Sequence, residues 1–418
     1  MSERIQAPRG TYDVLPDDHA ARGRVLRVAE NVLERAGYRR IETPVFEHTE
    51  LFARGVGAST DIVQKEMYTF DDAGGRSLTL RPEGTASICR AYLDHGMQKL
   101  PQPVKLWYHG PFFRHERAQA GRYRQFWQIG AEAIGSDAPA LDAEAIVLLA
   151  TVLDELEVGG LRLRLGSLGS PETRAAYREE LQAHLRAHAD QLSEEVRSRI
   201  DLNPLRAFDS DHPGTQAVMQ TAPRLLDRLS AEDAEHFAEV RALLDAVELP
   251  YEIDPTLVRG LDYYARTVFE FTSDALGAQS GVGGGGRYDG LIAQLGGPAT
   301  PAVGWAAGME RMLLAAGDAP IPEPMVDLYV ALDGESTARS QGFRIAAEAR
   351  RAGLNAQVEL AGRSMKGQLK QASRLQARYV AIVDDTGQAR LKDMDAGEQQ
   401  EIPHTDVVAQ VLRGRGLR

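Results

Sequence analysis

Residues Phe112 to Ile134, FFRHERAQAGRYRQFWQIGAEAI, constrain the chain more than any other stretch, because two strand-like runs flank an Arg-rich turn and sort polar from apolar side chains at period two. Successive side chains of an extended backbone point to opposite faces, so Trp127, Ile129, Ala131 and Ala133 share one face and Phe126, Gln128, Gly130 and Glu132 the other. The first face is core. The second offers an aromatic plate, an amide, a carboxylate and a gap at Gly130, which packs poorly but makes a floor for a small polar ligand. Before the turn, alternation puts Arg114 and Glu116 on a common face, so the pattern reads as an anion site beside an aromatic shelf. Taken alone, it fits an amphipathic hairpin with a solvated polar face as well or better.

Bulk properties narrow the class. A chain of 418 residues exceeds what one core usually fills, about 250 to 300 residues, so two or three domains are expected. The lone Cys89 forbids an intrachain disulfide and cysteine-based zinc sites, fits a reducing cytoplasm, and reads as core filling rather than a nucleophile. The N-terminus, MSERIQAPRG, lacks an apolar leader, and the longest apolar run, near Ala145 to Leu153, falls short of the roughly 20 residues that span a bilayer. A cytoplasmic protein without membrane attachment is expected.

The net charge of −12 argues at first against a nucleic-acid partner. Its location matters more. From Met325 onward there are 14 Lys and Arg against 12 Asp and Glu, a balance of +2, which leaves −14 on residues 1 to 324. Within this mildly basic tail Lys366, Lys370, Arg374 and Arg378 recur at every fourth position and would line one helix face, either as a phosphate rail or as a solvated outer surface.

Along the chain, Asp17 or Asp18 is placed to cap a helix carrying Val25, Leu26, Ala29, Val32, Leu33 and Ala36 up to Gly37. Strand-like and helical runs alternate to about residue 170. Amphipathic stripes of Tyr177, Leu181 and Leu185, then Leu192, Val196 and Ile200, then Phe237, Val240, Leu244 and Val247, predict a helical insertion over 171 to 250. Strand composition resumes at Thr256 and includes GVGGGGRYDG, a Pro-rich linker follows at Asp318 to Met325, and the remainder reads as a small α/β domain with strands at Leu328 to Leu332 and Tyr379 to Val383. The Gly-rich run lacks the GK[ST] ending of a phosphate loop and an obvious βαβ setting, and neither an HExxH nor a Ser-His-Asp-type signature points to hydrolysis.

FRHE, the Arg/Gly loop and RQFWQIGAE resemble the second signature motif of class II aminoacyl-tRNA synthetases, in the version of the histidyl-tRNA synthetase family. Further motifs follow in order: RGTYDVLP at Arg9 to Pro16, TLRPEGT at Thr79 to Thr85, VRGLDYYARTVFEF at Val258 to Phe271, GGGRYDGL at Gly284 to Leu291 and PAVGWAAGMERMLL at Pro301 to Leu314. LRPEGT recurs in several class II relatives. RGLDYY with GGGRYDGL is far more specific, and the resemblance spans nearly the whole chain. It implies an α+β catalytic domain over 1–170 and 251–320, with an antiparallel sheet flanked by helices, the helical insertion over 171–250, and an anticodon-binding α/β domain over 326–418.

The implied chemistry joins L-histidine to ATP as histidyl-adenylate and then to the 3′ end of tRNA(His), with Mg²⁺ expected beside ATP through ligands that the sequence does not fix. By the motif match Arg114 grips the α-phosphate, and Arg259 bridges that phosphate and the substrate carboxylate. Phe126 stacks on adenine, Arg311 covers its other face or reaches the γ-phosphate, and Glu116 meets the adenine edge or a metal. Glu83, Thr85 and Gln128 receive the α-ammonium, Glu132 and Tyr264 the two imidazole nitrogens, and Tyr263 closes the pocket. Arg117, Gln119, Arg122 and Arg124 face the acceptor end of tRNA, and Lys366 and Lys370 lie in the anticodon-binding domain. The resemblance also implies a homodimer with Gly37 to Glu47, including Pro44, at its interface. Two rivals stand beside it. One is a catalytically silent, histidine-sensing regulatory subunit of ATP phosphoribosyltransferase, which would lack the tail and parts of the ATP apparatus. The other is a class II synthetase for proline, threonine or glycine, against which RGLDYY and Glu132 argue.

Overall fold

The computed structural model describes residues 5–57, 60–116, 121–257, 260–277, 280–317 and 326–415. The chain divides into two compact units, Met1–Ala319 and Pro320–Arg418. The predicted linker, Asp318 to Met325, lies outside the described residues.

The first unit is organised by an eight-stranded sheet in the spatial order Arg39–Arg40, Val104–Phe113, Gln125–Ile134, Ala302–Gly308, Gly281–Arg287, Ala265–Ser273, Leu161–Ser167 and Glu252–Ile253. Its six central strands are antiparallel, and only the two-residue strands at its edges pair in parallel. Period-two patterning sends alternate side chains into two cores. Trp107, Ile129, Ala131 and Ala133 pack under the helices Pro16–Arg35, Pro139–Glu155, Ala231–Ala246 and Met309–Ala316. On the other face Tyr108, Tyr263, Tyr264 and Tyr288 share an apolar cluster with Tyr177, Leu181 and Leu185 of the helix Pro171–Ala187. A smaller sheet pairs Phe46–His48, Ser77–Leu80 and Tyr68–Asp71.

The first helix buries Val25, Ala29, Val32 and Leu33, as its spacing predicts. Its capping differs from the sequence reading. Leu15 occupies the cap position, and Asp18, one turn in, reaches back to accept the Leu15 N–H at 3.2 Å. Between 171 and 250 the described structure is helical, with Pro171–Ala187, Glu194–Arg199, Pro213–Gln220 and Ala231–Ala246. Ser170, Ser193, His212 and Ser230 each cap one of them through a side-chain acceptor.

A fully buried ion pair ties the Gly-rich strand to the helices beneath. Arg287 donates to Asp142, which also accepts from His236 at 2.8 Å and Thr267 at 2.6 Å, while Arg287 Nη1 meets the Ser136 carbonyl at 3.0 Å. Desolvation opposes the charged pair, and the hydrogen bonds from His236 and Thr267 and to Ser136 offset it.

In the second unit the strands Ala356–Val358, Leu328–Asp333 and Tyr379–Asp384 run parallel, and Gln388–Asp393 and Gln399–Pro403 continue the sheet antiparallel. Side chains alternate between two apolar layers, Leu328, Val330, Ala381 and Val383 against Tyr329, Ala331, Val380 and Ile382. The helix Met365–Arg374 presents Lys366, Lys370 and Arg374 to solvent. Arg378 does not extend that stripe, because the helix ends at Arg374 and the backbone turns at Gln376, φ 50°, before the next strand.

Candidate active site

Phe126, Gln128, Gly130 and Glu132 do share a face, but the gap at Gly130 is not open to a ligand. Tyr108 stands opposite Gly130 on the neighbouring strand, and its ring fills the gap so closely that a Cβ there would lie 2.3 Å from Tyr108 Cζ. Gly84 holds the other side of the same ring, at 2.5 Å by the same measure. The glycines of LRPEGT and QIGAE therefore make a slot for one tyrosine.

Below that ring, Glu132 is 1 % exposed and accepts from Thr85 Oγ1 at 2.8 Å, Tyr288 OH at 2.5 Å and Tyr108 OH at 3.4 Å. Glu83 lies at the start of the helix Thr85–Asp94, where it accepts the Thr85 and Ala86 N–H groups at 2.7 and 2.9 Å. Tyr263 OH reaches Glu83 at 3.5 Å, and the Tyr263 and Tyr264 rings touch with centroids 4.7 Å apart. Burial pushes Glu132 up to about 8, opposed by its hydroxyl donors, and raises Glu83 despite its two backbone donors. Among the described residues neither carboxylate forms an ion pair with a cationic side chain. Buried acidic groups of this kind suit a small polar ligand offering N–H donors or positive charge.

Glu83, Thr85, Glu132, Tyr263 and Tyr264 are buried and do not line the nearby cleft of about 650 Å³, whose wall includes Arg114, held by the Pro82 carbonyl next to Glu83. Phe126 forms a wall, with the Arg114 guanidinium 5.4 Å from its ring centroid. The strand ends at Phe113, so Arg114 is held from the following loop, by Nε donating to the Pro82 carbonyl at 2.9 Å and Nη1 lying 3.8 Å from Glu116. Arg311 reaches the cleft from the helix Met309–Ala316 and donates to the Gly281 carbonyl, and burial lowers its pKa. Gln128 lines the cleft, and its buried Oε1 has no hydrogen-bond partner among the described residues. Arg122 faces the cleft 3.5 Å from Glu116, whereas Arg124 turns toward the Glu116 and Arg9 carbonyls, each at 3.4 Å. Arg117, Gln119 and Arg259 lie outside the described residues.

Two arginines, an aromatic wall and a buried acidic cluster suit joining a phosphate ester to a small cation-bearing acid. A family model described as histidyl-tRNA synthetase matches residues 10–312 and so takes in every part of this site. The chain belongs to the histidyl-tRNA synthetase family. It is accordingly an aminoacyl-tRNA ligase. A second model, described as an anticodon binding domain, matches residues 330–413. The histidine–tRNA ligase of Desulforamulus reducens is 47% identical over 96% of this chain and 97% of its own length. That of Halorhodospira halophila is 48% identical over 98% of each. The crystal structure of apo S. aureus histidyl-tRNA synthetase superposes with a TM-score of 0.81 at 35% identity, over 98% of this chain and 100% of that one.

Several residues of this synthetase site escaped the sequence reading. Tyr288 lies in GGGRYDGL without an assigned contact, yet it donates to Glu132. Tyr108 stands on a strand with no motif of its own. Asp61, Glu66, Arg206 and Glu270 line the cleft, and Arg206 comes from the helical segment far along the chain. Only the tyrosine of the glycine-rich motif carried a usable sequence signal, since a polar aromatic in an otherwise glycine strand end needs a partner.

Proposed function

We propose that the cleft ligates L-histidine to tRNA(His) in two steps. A histidine carboxylate oxygen bonds to the α-phosphorus of ATP, the bond from that phosphorus to the bridging oxygen breaks, and pyrophosphate leaves. A terminal ribose hydroxyl of tRNA then attacks the acyl carbon and releases AMP. The observation that carries this reading is a buried pair of acidic side chains, Glu83 and Glu132, without an ion pair among the described residues, beside a cleft walled by Arg114, Phe126 and Arg311.

In the first step two anions must meet, so fixed positive charge has to stabilise the crowded phosphate oxygens. Arg114 grips the α-phosphate, Arg259 bridges it and the histidine carboxylate, Phe126 stacks on adenine, and Arg311 covers its other face or the γ-phosphate. Glu83, Thr85 and the unpartnered Gln128 acceptor take the α-ammonium. Glu132 and Tyr264 meet the imidazole nitrogens, and Tyr263 closes the pocket. A side chain lacking those nitrogens would leave buried groups unpaired, at about 1–3 kcal/mol each.

Among the described residues no cluster of three or more His, Cys, Asp or Glu is preformed for a metal. That suits Mg²⁺, which commonly binds one or two carboxylates and completes its shell with phosphate and water. Glu116 and Glu270 of the cleft would hold it, and it would neutralise phosphate charge. Arg117, Gln119, Arg122 and Arg124 meet the acceptor end of tRNA, and Lys366 and Lys370 its anticodon arm. Among the described residues no helix is long and apolar enough to cross a membrane. A cytoplasmic homodimer joined near Gly37 to Glu47 completes the proposal.

Amino-acid-dependent pyrophosphate exchange tests it. Exchange with histidine alone among the twenty amino acids is expected. Folded, ATP-binding protein without histidine exchange would instead favour a histidine sensor.

A further inference from the structure

The helical segment from Pro171 to Ala246 grips the chain around the proposed histidine pocket at several points. Arg174, on its first helix, donates through Nη1 to the backbone carbonyl of Tyr264, and the guanidinium is buried enough for desolvation to lower its pKa. Tyr177 and Leu181 of that helix lie in one apolar cluster with Tyr263, Tyr264 and Tyr288. Two residues past Tyr264, Arg266 adopts φ 48°, a left-handed conformation that a residue with a side chain rarely adopts unsupported. The residues just before the segment and Asp233 on its last helix together support that conformation. Arg266 N–H donates to the Gly169 carbonyl at 2.8 Å, its carbonyl accepts from Leu168 at 2.7 Å, and its Nε meets Asp233 at 3.1 Å. Asp233, on the last helix of the segment, also accepts from Ser170 N–H and Thr173 Oγ1, both at 2.9 Å.

Tyr263 ends a turn and Tyr264 follows it, two residues before this kink. If Arg266 relaxed to an extended conformation, the chain just after Tyr264 would rotate and both rings would be re-aimed away from Glu83 and Glu132. We infer that Arg174 and Asp233 are positioning residues for histidine recognition, so that the helical segment shapes the amino-acid pocket before any tRNA binds. This rests on the assignment of Tyr264 to the imidazole.

The test is pyrophosphate exchange without tRNA, with histidine and ATP varied separately. Arg174→Ala and Asp233→Asn are each expected to raise KM for histidine about tenfold and to move KM for ATP less than about twofold. Arg174→Lys, which keeps a charge and a donor, is expected to recover part of the loss. Asp233→Asn preserves the shape of its site and carries the measurement if Arg174→Ala does not fold. An unchanged histidine KM, equal rises in both KM values, or a change confined to tRNA charging overturns the inference. Tyr264→Phe separates the two levels: normal histidine KM in that variant sinks the pocket assignment itself. A raised KM there, with Arg174→Ala and Asp233→Asn normal, sinks only the positioning role.

Discussion

Burial keeps a proton on Glu132 well into the neutral range, and the consequence for stability has a definite sign. Its pKa in the fold is about 8 against 4.5 for a free carboxyl, so between those values the folded chain holds a proton that the unfolded chain has shed. The contribution of this group is complete below about pH 4.5 and is lost as pH rises through about 8. Glu132→Gln, which stays neutral, is expected to flatten that decline; thermal unfolding of both proteins across the range checks it. Gly130 gives a second residue-scale expectation. The Tyr108 ring cannot retreat from a new Cβ because Gly84 backs it, so Gly130→Ala should destabilise by about 1–3 kcal/mol in urea unfolding and weaken histidine binding. Both glycines were visible in the sequence as parts of motifs. Their purpose was not, because Tyr108 comes from a separate strand that only pairing brings alongside.

At the scale of elements, the second strand of the hairpin read over Phe112 to Ile134 was legible because period-two alternation survives folding, and its core face packs as read. The first strand ends at Phe113, so Arg114 and Glu116 sit on a loop and not on a shared strand face. The helix from Pro16 was legible for the same reason at period 3.6, although its cap was not: Asp18 satisfies the first turn from inside it rather than from the cap position. The basic helix Met365–Arg374 was half legible. Spacing put Lys366, Lys370 and Arg374 on one exposed face, while the break before Arg378 follows from a tight turn into a buried strand that i, i+4 counting does not register. If this face tracks phosphates, the double substitution Lys366→Glu with Lys370→Glu should raise KM for tRNA in aminoacylation by about tenfold or more and flatten its salt dependence. A salt titration of charging rates reads both effects.

At the scale of the molecule, two units with separate apolar cores predict unfolding that is not a single cooperative event. Trp107, Trp127 and Trp305, the only tryptophans of the chain, all lie in the first unit. Tryptophan fluorescence should therefore follow that unit alone, while far-ultraviolet circular dichroism follows both, and the two urea transitions should not superpose. Coincident curves would show the units unfolding together. The amino-acid order alone determined the strand at Gln125–Ile134, the helix from Pro16 and the family to which the chain belongs, because local periodicity and short motifs are written in neighbouring residues. Tertiary structure alone decided that Tyr108 and Tyr288 close over Glu132, that Arg206 reaches the cleft and that Asp233 supports the kink at Arg266. Each of those contacts joins residues distant in sequence, and what sets them is sheet order and the exclusion of water from shared volume, neither of which leaves a periodic trace along the chain.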